Sequence, residues 1–204
     1  MQCVLATSNE HKREEIAAIV ASLGVHDIDF VSLRDYPDIP PAVEDGATFA
    51  ENARIKALHV SAITGGWALA DDSGLVVDAL DGRPGIHSAR YAGDDATDAD
   101  RVAKLLAELA GIPTDHRTAR FACHVALTHG DRVHGEAEGY CEGLIADAPA
   151  GSQGFGYDPI MWLPDRGCTV AELSAADKNA ISHRSQALRG LRQSLMDLGA
   201  APRA

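Results

Sequence analysis

Positive charge is scarce in this 204-residue chain: 18 lysines and arginines face 30 aspartates and glutamates, a formal net charge of −12. Such a surface does not neutralise a phosphate backbone or an anionic bilayer. Broad nucleic-acid or membrane-surface binding is therefore not expected. One small phosphate ligand remains compatible, because it needs only a local group of cations. Apolar runs are short, well below the roughly 20 residues of a membrane-spanning helix. The opening residues Met1 to Thr7 lack a basic stretch followed by a long apolar core, so no secretion signal is read and a cytoplasmic protein is expected. Cysteines are few and scattered: Cys3, Cys123, Cys141 and Cys168 form no Cys-x-x-Cys pair. That argues against zinc or a thioredoxin-like centre and for buried, reduced thiols. No internal repeat or low-complexity tract appears. What is present, 46% hydrophobic and 24% charged residues, suits a folded globular chain.

The pattern predicts a strand over 2–6, a helix over 9–23 with Ile16, Ile19, Val20 and Leu23 on one face, and a strand over 27–33. Gly24 stops the first helix. Thr48 and Glu51 read as a capping box opening a helix to about Ile63, ended by Gly65-Gly66. Strands are predicted on both sides of an Asp71-Asp72-Ser73-Gly74 turn. Residues 81–97 read as a long functional loop, and Thr97 or Asp98 caps a helix carrying Val102, Leu105, Leu106 and Leu109. A hairpin pairs 120–128 with 132–140 around Gly130-Asp131. A glycine-rich loop spans 151–158. A last helix starts near Ser182, and the final residues are expected to fray. Early alternation of strands and helices followed by a hairpin gives the fold class. It is α/β, a central twisted mixed β-sheet flanked by helices, with one domain over 1–204 and two lobes around a substrate cleft.

Asp71 and Asp72, set between two apolar runs, carry the strongest chemical signal. Paired carboxylates there are costly unless something positive meets them. A hard cation such as Mg²⁺ takes carboxylate oxygens, waters and phosphate. A solvated Asp-Asp-Ser-Gly turn is the plainer alternative. Thr7, Ser8, Asn9, Glu10 and His11 lead from the first strand into the first helix, where free N–H groups and the helix dipole can hold phosphate. Lys12 lies one turn in. An ordinary cap with a surface lysine reads equally well. Asn52 and Lys56, four apart, share a helix face; Glu44 and Asp45 precede it. Gly154, Phe155, Gly156, Tyr157 and Asp158 combine close backbone approach with flat rings on which a base can stack. Lys178 and Arg184 read as cations near a helix start, where a bound anion would explain them, and His183 adds a donor. His124, His129 and His134 match no common metal spacing and read as surface or packed residues.

Taken in order, these stretches resemble the inosine triphosphate pyrophosphatase family. The matching segments are Thr7-Ser8-Asn9-x-x-Lys12, Thr48-Phe49-x-Glu51-Asn52-Ala53-x-x-Lys56, Asp71-Asp72-Ser73-Gly74-Leu75, Pro84-Gly85-Ile86-x-Ser88-Ala89-Arg90-Tyr91, Gly154-Phe155-Gly156-Tyr157-Asp158-Pro159 and Ile181-Ser182-His183-Arg184. The match is nearest to the bacterial XTP/dITP diphosphatase branch, with Ser8 where many members have glycine. The resemblance implies Mg²⁺-dependent hydrolysis of dITP, ITP, XTP or dXTP to the nucleoside monophosphate and pyrophosphate, and a homodimer. It implies Asp72 as metal ligand and base, with Glu44 as second metal carboxylate and Glu15 as the alternative. It implies substrate contacts from Thr7 to Lys12, Lys56, Ser73, Phe155 to Asp158, Lys178, His183 and Arg184. Two rival readings stand beside it: a pyrophosphatase for modified pyrimidine or guanine nucleotides, and a nucleotide-binding regulator without turnover.

Overall fold

Residues 1–200 are described by a computed structural model; the expected fraying falls on 201–204, outside them. Strand β1 (Gln2–Leu5) leads through helix α1 (Glu10–Ser22) to β2 (Asp29–Ser32), and α2 (Phe49–Thr64) leads to β3 (Trp67–Val77). Both connections are strand–helix–strand units, and β1 pairs in parallel with β2 and with β3. Helix α3 (Asp98–Glu108) precedes the hairpin of β4 (Thr118–His129) and β5 (Arg132–Ile145). Short strands β6 (Met161–Leu163) and β7 (Cys168–Thr169) follow, then helices α4 (Ala175–Ile181), α5 (His183–Gly190) and α6 (Arg192–Ala200). The strands form a seven-stranded sheet in the order β2-β1-β3-β4-β5-β6-β7. With β5–β6 and β6–β7 antiparallel, the sheet is mixed, as its sequence pattern implies.

The described chain forms two compact units. The first comprises 1–72, 123–139 and the helices from His183 onward; the second comprises 73–122 and 140–182. The first unit has a core on each face of its strands. Cys3, Leu5, Leu69, Cys123, Val125 and Leu127 pack with Ile16 and Ile19 of α1 and Leu188 of α5. Val4, Ala6, Ala68, Ala70 and Ala126 pack with Ala53, Ala57 and Val60 of α2. The period-2 alternation of strand side chains separates the two sets. In the second unit, Leu75 and Val77 pack with Val102 and Leu105 of α3, Ile145, Ile160 and Met161.

Local signals explain most element ends. Asn9 caps α1 by accepting the Lys12 N–H at 3.3 Å. Gly65, with φ of 66°, closes α2. Thr97 caps α3 in a full capping box with Asp100. Gly130, with φ of 60°, turns the hairpin, whose strands extend beyond their predicted ends.

Four expectations are corrected. The first concerns Asp71 to Gly74, which form no turn: β3 runs unbroken through them. Both carboxylates meet cations supplied by the chain, Asp71 at Arg184 and Lys12 and Asp72 at Lys56. Gly74 lets another segment pass: a Cβ there would collide with the Gly85 carbonyl and Ser88 Oγ. Ser88 Oγ accepts the Leu75 N–H at 2.9 Å. Second, the α2 capping box is half made. Thr48 accepts the Glu51 N–H at 3.1 Å, but the Glu51 carboxylate takes the Ala47 N–H at 2.6 Å. Third, the loop over 81–97 contains a 3₁₀ segment at Gly85–Arg90. Fourth, the helix expected from Ser182 is two, α5 and α6, and a further helix, α4, precedes them. Ser182 has extended backbone (φ −62°, ψ 152°) and ends α4, so Lys178 lies inside α4 and only Arg184 stands at a helix start.

Candidate active site

Strand alternation places the two adjacent aspartates on opposite faces. Asp71 continues the Leu69 row toward α1 and α5. Its Oδ2 lies 2.9 Å from Arg184 Nη2 and 3.0 Å from Lys12 Nζ. The other Arg184 arm pairs with Glu15 of α1. Both Asp71 and Arg184 side chains are 1% exposed. Burial pushes the Asp71 carboxyl up, but Lys12, Arg184 and Lys56 together hold it well below the usual carboxylate range. For Arg184, burial works against the charge, and Asp71 and Glu15 carry its pKa above the ordinary value. The cation at the start of α5 is thus explained by carboxylates of the chain itself, not by a bound anion.

Asp72 continues the Ala68 and Ala70 row toward α2. Lys56, one of the α2 residues on that face, places Nζ 2.7 Å from Asp72 Oδ1 and 3.2 Å from Glu44 Oε2. Asn52, on the same helix face, accepts the Gly46 N–H at 2.9 Å and so anchors the segment carrying Glu44. Burial raises the Asp72 carboxyl, and Lys56 and Lys12 only partly offset it, so its pKa stays above the ordinary value. Burial lowers the Lys56 ammonium, yet Asp72, Asp71 and Glu44 outweigh it and its pKa is raised.

Asp72 Oδ2 is buried without a hydrogen-bond partner among the described residues. An orphaned buried oxygen is costly and calls for a ligand. Two carboxylates already converge on one cationic group at Lys56, and their oxygens suit a hard divalent ion that keeps waters and phosphate in its shell. Among the described residues, no group of three or more His, Cys, Asp or Glu side chains is arranged to hold a metal. Asp72 and Glu44 are the two carboxylates that meet at Lys56. Glu15 is committed to Arg184 on the opposite face.

The segment from Thr7 to Lys12 forms the predicted strand-to-helix passage. Thr7 Oγ1 accepts the Asn9 N–H at 3.1 Å, and the Ser8 carbonyl accepts from Arg34 Nε at 3.1 Å. Glu10 pairs with Arg13 along α1, and His11 lies in its first turn. Ser73 lies in β3 directly after Asp72.

In the second unit, Lys178 reaches from α4 to Asp158 Oδ2 at 2.8 Å, with its ammonium 4.7 Å from the Phe155 ring centroid. Asp158 also takes the Phe155 N–H at 2.9 Å. Tyr157 is buried, and its hydroxyl donates to the Ser88 carbonyl at 3.0 Å. Two residues of this arrangement were not singled out as site residues from sequence. Ser88 holds both β3 and Tyr157; its presence in the Pro-Gly-Ile-x-Ser segment was the available signal. Asp98 accepts the Gly156 N–H at 2.7 Å, a long-range contact with no local signature.

The cysteines are free thiols; burial pushes Cys123 up to about 12 and Cys141 up to about 11, which keeps both protonated and unreactive. Among the described residues, no helix is long and apolar enough to cross a membrane.

Known proteins match this chain along nearly its whole length. A dITP/XTP pyrophosphatase of Geobacillus kaustophilus is 53% identical over 190 residues, covering 93% of this chain and 92% of the relative. A dITP/XTP pyrophosphatase of Geobacter sulfurreducens is 50% identical over 192 residues, covering 94% and 95%. The solved structure of a HAM1 protein from Coxiella burnetii superposes with a TM-score of 0.86 at 42% identity, covering 97% of this chain and 99% of that one. The Ham1 family model matches residues 3–194, and the chain belongs to the Ham1 family.

Proposed function

We propose that this protein hydrolyses deaminated purine nucleoside triphosphates (dITP, ITP, XTP and dXTP) to the nucleoside monophosphate and pyrophosphate, removing them from the cytoplasmic nucleotide pool. One observation carries the reading. The buried Asp72 carboxylate shares Lys56 with Glu44 and keeps one oxygen unpartnered. The names of the relatives supply the substrate class.

Water attacks the α-phosphorus, and the bond from that phosphorus to the α–β bridging oxygen breaks. Asp72 accepts the proton of the attacking water. Thr7, Ser8, Asn9, Glu10, His11, Lys12, Lys56, Ser73 and Lys178 bind the substrate, with the three lysines offsetting negative charge on the phosphates. Asp72 and Glu44 would hold Mg²⁺, which would polarise the phosphoryl oxygens. Phe155 stacks on the base, with Gly156, Tyr157 and Asp158 fixing its loop.

Hypoxanthine and xanthine present a carbonyl at C6, where adenine presents an amine. His183 donates to that carbonyl, and Arg184, braced by Asp71 and Glu15, fixes the start of α5 beside it. A donor facing the adenine amine leaves both groups unpaired, which rejects ATP. A homodimer is proposed on the family resemblance alone.

The test is pyrophosphate release from dITP, XTP, GTP and ATP with Mg²⁺, with Asp72→Asn alongside. Release from dITP and XTP, lost in the variant, is expected. Absence of release from all four by a folded protein would overturn the reading.

A further inference from the structure

The loop that carries Phe155 is anchored upstream by Ser152 and Gln153, whose N–H groups both donate to the Ala171 carbonyl. Gly154 and Gly156 have φ of 76° and 62°, conformations that glycine adopts freely and that do not by themselves fix a ring. Lys178 lies over the ring, and three further bonds hold the residues beside it. Phe155 N–H donates to buried Asp158. Tyr157 hydroxyl donates to the Ser88 carbonyl. The third fastening comes from the first residue of α3: Gly156 N–H donates to Asp98 Oδ2 at 2.7 Å. Asp98 Oδ1 is in turn 2.7 Å from Arg101 Nη2, and the Asp98 side chain is 48% exposed. An ionised acceptor makes a stronger bond to an N–H than a neutral one. The start of α3 favours that negative charge. Asp98 is thus held from two sides while it holds the residue next to Phe155.

We propose that Asp98 is a positioning residue for base recognition: through the Gly156 N–H it sets the orientation of the Phe155 ring, and so governs affinity for the base without touching the substrate. This inference rests on the reading that Phe155 stacks on the base. It predicts an effect confined to ligands that carry a base. The two products of the proposed reaction separate that effect cleanly, because dIMP has a base and pyrophosphate has none.

The experiment measures inhibition of dITP turnover by dIMP and by pyrophosphate, with Mg²⁺, for the wild type, Asp98→Ala, Asp98→Asn and Asp100→Ala. Asp100 accepts the Thr97 N–H at 2.9 Å and caps the same helix without reaching Gly156. Its variant therefore reports the cost of loosening α3 alone. In Asp98→Ala the dIMP inhibition constant rises about tenfold, in the lower part of the range for base–aromatic stacking, and the pyrophosphate constant stays put. Asp98→Asn, whose amide oxygen still accepts, recovers most of the loss. Asp100→Ala moves neither constant. Equal weakening of both products, or an Asp98→Ala effect no larger than that of Asp100→Ala, overturns the inference. Wild-type protein that turns over no dITP overturns the functional reading and this inference with it. An active wild type with an unmoved dIMP constant in Asp98→Ala overturns this inference alone.

Discussion

Asp71 and Asp72 are the same residue type, adjacent in one strand, yet their surroundings drive them in opposite directions. Asp71 faces α1 and α5, where Lys12 and Arg184 close around one oxygen. Asp72 faces α2, where it shares one lysine with Glu44. The first carboxyl is held far below its ordinary pKa, and the second is pushed above it. A half-turn of strand pleat thus separates a permanent structural anion from a carboxylate able to take a proton. Burial acts upward on both; the number and closeness of cations decides which force wins.

The sharpest way to break this contrast is to remove each carboxylate's function in turn. Asp72→Asn should lower turnover of dITP by about 10²- to 10⁴-fold, the usual weight of a general base. The same variant should melt at or above the wild-type temperature, because the fold favours the neutral form of that side chain. Calorimetry with a pyrophosphate-release assay checks both; a marked loss of melting temperature would make Asp72 structural too. Removing the opposite partner should invert the pattern. Arg184→Ala leaves Asp71 and Glu15 without their shared guanidinium and should cost about 3–5 kcal/mol of stability, read from urea unfolding.

Lys56→Met should act between these extremes. Among the groups that lower the Asp72 carboxyl, Lys56 is the strongest, so its removal lets burial push that carboxyl higher still. The acid limb of the kcat profile should then move to higher pH. An unmoved limb would assign the limb to another group.

The smallest effect is on stability as a function of pH, where the two aspartates have opposite signs. The folded pKa of Asp71 is depressed, so its contribution is present above the unfolded value of about 3.9 and is lost as pH falls through the folded value. The folded pKa of Asp72 is raised, so its ionised form weakens the fold at neutral pH. That cost is relieved as pH falls from above the raised value toward about 3.9. Acid unfolding of Asp71→Asn should therefore be shallower than that of the wild type, and acid unfolding of Asp72→Asn steeper. Identical curves would show that neither carboxylate governs acid sensitivity.

Much of the local structure was legible residue by residue. Apolar spacing in α1, the Asn9, Thr48 and Thr97 caps and the Gly65 and Gly130 turns are local signals, and each operates in the fold. The ordered motifs marked the residues around Asp72 before any coordinates. The reading failed where long-range contacts override local preference. Asp-Asp-Ser-Gly is a turn by composition, but burial against Lys12, Lys56 and Arg184 keeps it in β3. Ser182 reads as a helix start, and α5 does begin directly after it, but the same residue also ends α4, which the pattern did not reveal. The pairing of Arg184 with Asp71 and of Lys178 with Asp158 joins residues distant in sequence and had no local signal.

The sequence alone determined which chemistry this chain can carry: carboxylates, lysines and a glycine-flanked phenylalanine, in an order specific to one family. It determined the elements too, because caps, turns and periodicity act over a few residues. Tertiary structure alone decided what each charged group does. A carboxylate becomes a fixed anion or a proton acceptor according to how many cations approach it and how much water it loses, and those neighbours come from helices far away along the chain.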